Sequence, residues 1–191
     1  MEWPATTRGA LTPAPGGLAF VQDLLNTVAM GKPRMPDLLD DLDAAQQWLD
    51  AALASWTRAA GRPHTPVTLD GRDLEKLRAF RTDLQRAVRA DGAEPAPLTT
   101  TVTLRLGPDG RIHADPHGTG WQRVASLSLV ETYEAQRTDL WRRLKSCRND
   151  RCAAAFYDRS RNNSGVWHDV HTCGNAANLR ASRARRASPS A

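Results

Sequence analysis

The chain has 191 residues, of which 40% are hydrophobic, and a formal net charge of +5. This length suits one ordinary domain with a short appendage, and no run of eighteen apolar residues occurs, so the composition excludes a transmembrane helix. Residues 141–191 hold eleven Arg and Lys against three Asp, a net +8, which leaves −3 for residues 1–140, and this split predicts an anionic partner for the basic tail.

The first seventeen residues predict a disordered leader, because they contain three prolines and a pair of glycines. No basic segment or small-residue cleavage site frames the apolar stretch from Leu18 to Met30, so a signal peptide is not predicted. The chain has three cysteines, and an odd number without an export signal favours a reduced, cytoplasmic location over a disulfide framework.

Residues 18–144 predict a mainly α (α+β) domain made of four helices and one small β-hairpin. Apolar side chains recur at the helical period of three to four residues in four segments, 18–30, 36–60, 70–88 and 121–144. Residues 99–106 and 111–114 are separated by a Gly-Pro-Asp-Gly turn, and the first of them alternates in polarity, which predicts the hairpin. The fourth helix leads directly into the cysteines, so we expect the basic tail to dock against it.

The segment 145–187 carries the metal-binding residue types of the chain. Cys147 and Cys152 form a C-x4-C loop whose thiolates can converge on one ion, and Cys173 supplies a third ligand. His168 is the fourth candidate, and His171 is the competing histidine. Three soft ligands and one imidazole, without an open position, predict one structural Zn²⁺ and not a catalytic ion.

This segment resembles the CGNR zinc finger. The matching residues are Cys147, Cys152, Phe156, Asp158, Ser160, Arg161, Asn162, Trp167, Cys173, Gly174 and Asn175. Upstream, Asp23-Leu-Leu-Asn26-Thr27 resembles the D-x-V-N-T motif that opens the ABATE domain, the usual N-terminal companion of this finger. The resemblance implies an ABATE-like helical domain over 18–144 and a CGNR-like zinc finger over 145–187, in a bacterial stress-induced transcription regulator.

Two positions depart from the family pattern. His168 stands where the family has its third cysteine, directly after Trp167, and histidine is a competent zinc ligand, so the resemblance implies a Cys₃His site. Ala176 replaces the arginine of the Cys-Gly-Asn-Arg motif. Any contact that this arginine makes in relatives is lost here.

A basic helix is predicted after Asn175, because residues 176–186 are rich in good helix formers. Its arginines and two from the preceding loop are expected to form one phosphate-contacting patch: Arg159, Arg161, Arg180, Arg183, Arg185 and Arg186. DNA is therefore the predicted partner. The alternatives are a solvated, solubilising face and a zinc-stabilised protein–protein interaction module that binds an acidic surface without direct DNA binding.

Asn26 and Thr27 are polar residues in an otherwise apolar helix. Buried amide and hydroxyl groups need partners, so a helix C-terminal cap is the preferred interpretation. The alternative is a ligand-binding pair, through which the helical domain would sense a small-molecule effector. No catalytic motif is found, so the chain is predicted not to be an enzyme. The sequence predicts no membrane partner and leaves the oligomeric state open, with a homodimer as one alternative.

Overall fold

The computed structural model of the protein describes residues 2–31, 33–89, 97–149 and 151–187. These residues form six α-helices and two antiparallel β-hairpins, which confirms the predicted mainly α fold with a small hairpin. The elements in chain order are α1 (Pro4–Arg8), α2 (Leu18–Leu25), α3 (Leu42–Ala60), α4 (Gly71–Arg89), β1 (Val102–Leu106), β2 (Ile112–Pro116), α5 (Gly120–Arg137), β3 (Leu144–Ser146), β4 (Ala155–Tyr157) and α6 (Asn175–Ala187). No helix of the described residues is long and apolar enough to cross a membrane.

Helix α2 lies at the centre of the body, the name used below for residues 2–143, and every residue of α2 is buried. It packs against α1, α3, α4 and α5, which together form one continuous apolar core. Helix α2 ends at Leu25, earlier than the predicted 18–30. The helix ends there because the backbone carbonyls of residues 26–28 turn towards the guanidinium of Arg8 and leave the helical path.

The prediction of a disordered leader is wrong. Trp3 is only 2% exposed and belongs to the main core, and Pro4 begins α1 in the first turn, where proline is tolerated. The N–H of Thr6 donates to the Oδ1 atom of Asp23 at 2.7 Å and ties α1 to α2. Burial of Trp3 and the hydrogen bond between Thr6 and Asp23 therefore order this segment, in spite of its proline and glycine content.

Capping groups set the boundaries of α3. The helix begins at Leu42 and not near residue 36, because the carboxylate of Asp41 accepts a hydrogen bond from the N–H of Ala44 at 2.8 Å. It ends at Ala60, because the next residue, Gly61, has a left-handed φ of 64° and caps the helix.

Helix α5 ends before the predicted residue 144. Asp139 has a φ of 60°, and the N–H of Leu140 donates to the carbonyl of Ala135 at 2.8 Å, which closes the helix after Arg137. A short 3-10 turn, Trp141–Arg143, then leads into β3.

The finger, the name used below for residues 144–187, docks on the body through both of its strands. Strand β4 packs on α2, and strand β3 packs on α4. The predicted docking against the fourth helix, α5, is thus replaced by contacts with α2 and α4. The β1–β2 hairpin is confirmed, with Leu106 paired with Ile112 beside the turn.

Candidate metal centre and basic surface

The first two cysteines lie in a tight turn between β3 and β4. The N–H of Cys147 donates to the carbonyl of Ala154 at 2.8 Å, and the N–H of Cys152 donates to the carbonyl of Asn149 at 2.7 Å. Ala153 has a φ of 57°, a left-handed conformation that reverses the chain after the second cysteine. The C-x4-C spacing therefore becomes a knuckle that presents both sulfurs to one point.

The other two ligands come from the segment that leads into α6. His168 precedes Asp169, whose carboxylate accepts a hydrogen bond from the N–H of Thr172 at 2.7 Å and caps a π-helical turn, Val170–Gly174. Cys173 lies in this turn, and its N–H donates to the carbonyl of Asp169 at 3.0 Å. Because the turn continues directly into α6, the position of Cys173 is coupled to the start of the basic helix.

Cys147, Cys152, His168 and Cys173 form one cluster, and their ligand atoms all lie within 4.8 Å of one another. The Sγ atom of Cys152 is 3.2 Å from the Nδ1 atom of His168. Ligands about 2.0–2.3 Å from a tetrahedral zinc lie roughly 3.5–3.8 Å apart, so the cluster fits one ion. His171 is exposed and outside the cluster, so His168 is the fourth ligand.

Without a metal ion, ionisation of one sulfur of the knuckle opposes ionisation of the other. The hydrogen bond from the Cys152 thiol lowers the pKa of Cys147 far below its ordinary value. Contact with the Cys147 sulfur, together with burial, raises the pKa of Cys152. A divalent cation removes this opposition, because it stabilises both groups as thiolates. These four residues are therefore positioned to bind one structural Zn²⁺, whose binding supplies folding energy to the finger.

A buried amide supports the cluster from outside. Asn149 is 5% exposed, and its Nδ2 atom donates to the Sγ atom of Cys173 at 3.1 Å. Its Oδ1 atom accepts a hydrogen bond from the Nη2 atom of Arg180 at 2.7 Å. The sequence does not predict this role for Asn149, and the position of this residue inside the C-x4-C loop is the one signal that points to it.

A second buried network holds the loop after β4. Asp158 accepts hydrogen bonds from the Nζ atom of Lys145 at 2.7 Å, from the N–H of Gly165 at 2.7 Å and from the N–H of Ser160 at 2.9 Å. Burial by itself would raise the pKa of Asp158, but these donors, Lys145 foremost, bring it well below its ordinary value. A Cβ at Gly165 would lie 2.9 Å from the Asp158 carboxylate, so glycine is required there. Asp158 and its three donors therefore hold the loop that follows β4 in place.

Asn26 and Thr27, predicted as a cap or a ligand pair, are fully buried where the body meets the finger. The amide of Asn26 accepts from the N–H of Ala155 at 2.8 Å and donates to its carbonyl at 3.0 Å, as a neighbouring β-strand would. The hydroxyl of Thr27 donates to the carbonyl of Leu24 and accepts from the Nη1 atom of Arg81, both at 2.7 Å. This geometry favours the structural role, because a ligand would have to break these bonds.

Two further residues extend this polar junction. Asp23, the first residue of the motif, accepts hydrogen bonds from the N–H of Thr6 at 2.7 Å and from the Nε1 atom of Trp48 at 2.9 Å. Burial raises the pKa of Asp23. Arg8 donates to the carbonyls of residues 26–28 and so holds the turn that follows α2, although the sequence predicts a disordered leader at this position.

The arginines predicted to contact phosphate are not equivalent. Three of them are exposed: Arg161, Arg183 and Arg186. Arg159 is exposed but stacks over the ring of Tyr157 and donates to the carbonyl of Pro13 at 2.8 Å. Arg180 is half-buried and is engaged by the amide beside the metal centre. The side chain of Arg185 lies outside the part of the chain that the structure describes.

This arrangement defines a class: a small Cys₃His zinc finger with a basic helix, docked on a helical body. Comparison with protein-family models agrees, since residues 143–186 match the CGNR zinc finger. Residues 18–158 match the ABATE family, described as "Putative stress-induced transcription regulator", and the chain belongs to this family. The two matches overlap over 143–158, which contains the β3–β4 hairpin that joins finger to body. A search of curated proteins finds no match.

Proposed function

We propose that the protein is a zinc-dependent transcription regulator that binds duplex DNA through the finger. The observation that carries the proposal is the exposure of Arg161, Arg183 and Arg186 on a module of high positive charge. Guanidinium groups that contact phosphates release counterions, which gives an affinity that falls with salt. The family description supports a role in transcription.

The zinc ion has a structural role in this proposal and takes part in no reaction. Cys173 and the π-helical turn fix the start of α6, so an ordered metal centre gives Arg183 and Arg186 a defined direction relative to the knuckle. A defined direction matters because phosphate contacts position a protein on duplex DNA. Nothing in this arrangement requires a catalytic group.

The test is the salt dependence of binding to a labelled DNA duplex, measured by fluorescence anisotropy. The double variant Arg183→Ala/Arg186→Ala is expected to bind more weakly, with a log–log salt slope flatter by about 1.8 if both arginines contact phosphate. The matched control is Arg72→Ala/Arg105→Ala, which removes the same charge from exposed positions of the body. If the α6 variant binds DNA as the wild-type protein does, the assignment of α6 is wrong.

A protein-interaction module with an acidic partner is the competing function. Polyglutamate of comparable charge separates the two, because a DNA-binding surface matched to phosphate spacing prefers the duplex at equal ionic strength. Equal affinity for both polymers, with equal sensitivity to the α6 double variant, would favour the interaction module.

We also propose that the body senses a small effector, on the strength of a cavity of about 270 Å³ between α3, α5 and β2. Its walls include the apolar side chains of Trp56 and Leu127, and its lining also holds Arg123 and the ion pair of Arg62 with Asp115 at 2.9 Å, which leaves one positive charge in excess. An apolar wall with nearby guanidinium groups suits a small carboxylate with a hydrophobic body. Benzoate and short aliphatic acids should raise the melting temperature of the wild-type protein, and Leu127→Phe, which fills the cavity, should abolish the shift. A panel without any shift would overturn this assignment.

A further inference from the structure

We infer that Arg180 is a positioning residue of the metal centre and is not a phosphate contact. Acting through the amide of Asn149, it fixes the sulfur of Cys173 and joins the knuckle to the basic helix. The inference rests on the zinc site and does not depend on DNA binding. Arg180 therefore has a different role from the other arginines of α6, although its spacing from them predicted the same phosphate contact.

The orientation of the Asn149 amide is determined by its partners. Its Oδ1 atom accepts from the Nη2 atom of Arg180 at 2.7 Å and from the N–H of Arg151 at 3.3 Å, so the oxygen faces two donors. The NH₂ group must then face the Sγ atom of Cys173, which lies 3.1 Å away. A guanidinium on the oxygen polarises the amide and strengthens its N–H as a donor. The amide therefore stabilises negative charge on this sulfur.

The three residues come from the three parts that the finger has to hold together. Asn149 lies in the knuckle, Cys173 in the π-helical turn and Arg180 on α6. The backbone carbonyl of Asn149 also accepts from the N–H of Cys152 at 2.7 Å, so the amide is anchored to a second ligand. Outer partners of this kind orient metal ligands and typically contribute about 10- to 100-fold to metal affinity.

Helix geometry explains why Arg180 differs from its neighbours. A three-residue step on an α-helix falls about 60° short of a full turn, so successive arginines rotate around the helix. Arg180 accordingly faces the knuckle and is half-buried, whereas Arg183 and Arg186 are exposed. The patch of α6 available to a polyanion thus begins one turn later than the sequence spacing predicts.

The first experiment measures zinc affinity of the full-length protein by competition with a chromophoric chelator. Arg180→Ala and Asn149→Ala are each expected to weaken zinc binding about 10- to 100-fold. The double variant should lose no more than the larger single effect, since both residues act along one path. Arg183→Ala is the matched control and should bind zinc as the wild-type protein does. Wild-type affinity in Arg180→Ala, or fully additive losses, would overturn the inference.

A second readout separates positioning of the sulfur from general support of the fold. With Co²⁺ in place of zinc, loss of the N–H···S hydrogen bond should shift the sulfur-to-metal charge-transfer band in Arg180→Ala and Asn149→Ala, but not in Arg183→Ala. Arg180→Lys keeps a cationic donor and should restore part of the affinity and of the band position. Weakened binding with an unshifted band would show a merely structural role. Neither result depends on whether the α6 double variant binds DNA, so the two proposals fail separately.

Discussion

The body and the finger are stabilised in different ways. The body surrounds α2 with apolar helices, and the buried side chains of Gln22, Asp23 and Asn26 on and just after α2 have protein hydrogen-bond partners. The finger has a much smaller apolar cluster, in which Cys147, Phe156 and Cys173 pack with Leu11 and Met30 of the body. A module of this size cannot build a sufficient core from its own residues. The difference teaches that the finger takes its stability from two outside sources, the ion and the body.

The family motif of α2 lies where these two regions meet. Asp23 holds α1 and α3, and Asn26 holds strand β4 of the finger. The motif therefore joins α1, α3 and the finger, and its burial favours a structural role over a ligand site. Each of the following predictions tests one side of this comparison.

Removal of zinc is expected to have the largest effect, and to affect the finger far more than the body. Structural zinc sites contribute apparent binding free energies of about 10–16 kcal/mol, and none of the four ligands lies in the main core. After treatment with a chelator, trypsin should cleave rapidly at the arginines of the finger while α2 to α5 stay protected, as read by mass spectrometry. Equally rapid cleavage of α2 to α5 would show that the body and the finger are not stabilised separately.

Asn26→Ala tests the junction and should cost about 2–3 kcal/mol in unfolding free energy, because it leaves the buried N–H of Ala155 without its partner. Chemical denaturation followed by fluorescence measures the loss. Asn162→Ala, at an exposed asparagine of the finger, is the control and should change stability by less than about 0.5 kcal/mol. A variant Asn26→Ala as stable as this control would show that the finger does not need the amide.

Glu131→Gln tests a difference in acid strength between the two regions, because the pKa of a buried acid is raised in the body and lowered in the finger. Burial raises the pKa of Glu131 above its ordinary value, and its carboxylate accepts from the Nε1 atom of Trp56 at 2.8 Å. A raised pKa in the folded state means that stability falls as pH rises from about 4.3 through the folded pKa. Glutamine keeps the acceptor without the charge, so the variant should be more stable than the wild-type protein at pH 8, with a flatter pH profile.

The contrasting acid of the finger is Asp158, whose pKa is lowered. A lowered pKa gives stability that is present above the unfolded pKa of about 3.9 and is lost as pH falls through the folded pKa. Urea unfolding of Asp158→Asn and Glu131→Gln at several pH values should therefore show changes of opposite sign at pH 8. Changes of the same sign would contradict the comparison.

Ala153→Gly should have the smallest effect, and a stabilising one. Ala153 has a left-handed φ of 57°, which glycine adopts without the steric cost of a Cβ atom. The expected gain is about 0.5–1 kcal/mol, measured as resistance of the finger to denaturant at fixed free zinc. Ala154→Gly, at a buried neighbour, is the control and should destabilise the finger.

The sequence alone determined the three cysteine ligands, the order of helices α2 to α5 and the β1–β2 hairpin, whereas the choice of His168 over His171 came from the structure. Ligand chemistry is local, because few residue types bind zinc and their spacing restricts how they can converge. Helix and strand periods are local as well, which is why α4 and the β1–β2 pair were found where predicted. Helix ends were predicted less well, because one capping carboxylate at Asp41 or one left-handed residue at Asp139 decides them.

Only the tertiary structure decided what the polar residues do. Asn26 bonds a strand 129 positions away in the chain, and Arg8 in the supposed leader holds the turn after α2, so no local pattern could reveal either partner. The same holds for Arg180, which differs from Arg183 in the amide that it meets and not in its sequence context. Packing between distant segments decides the partners of buried polar groups, and the sequence alone does not show which segments pack together.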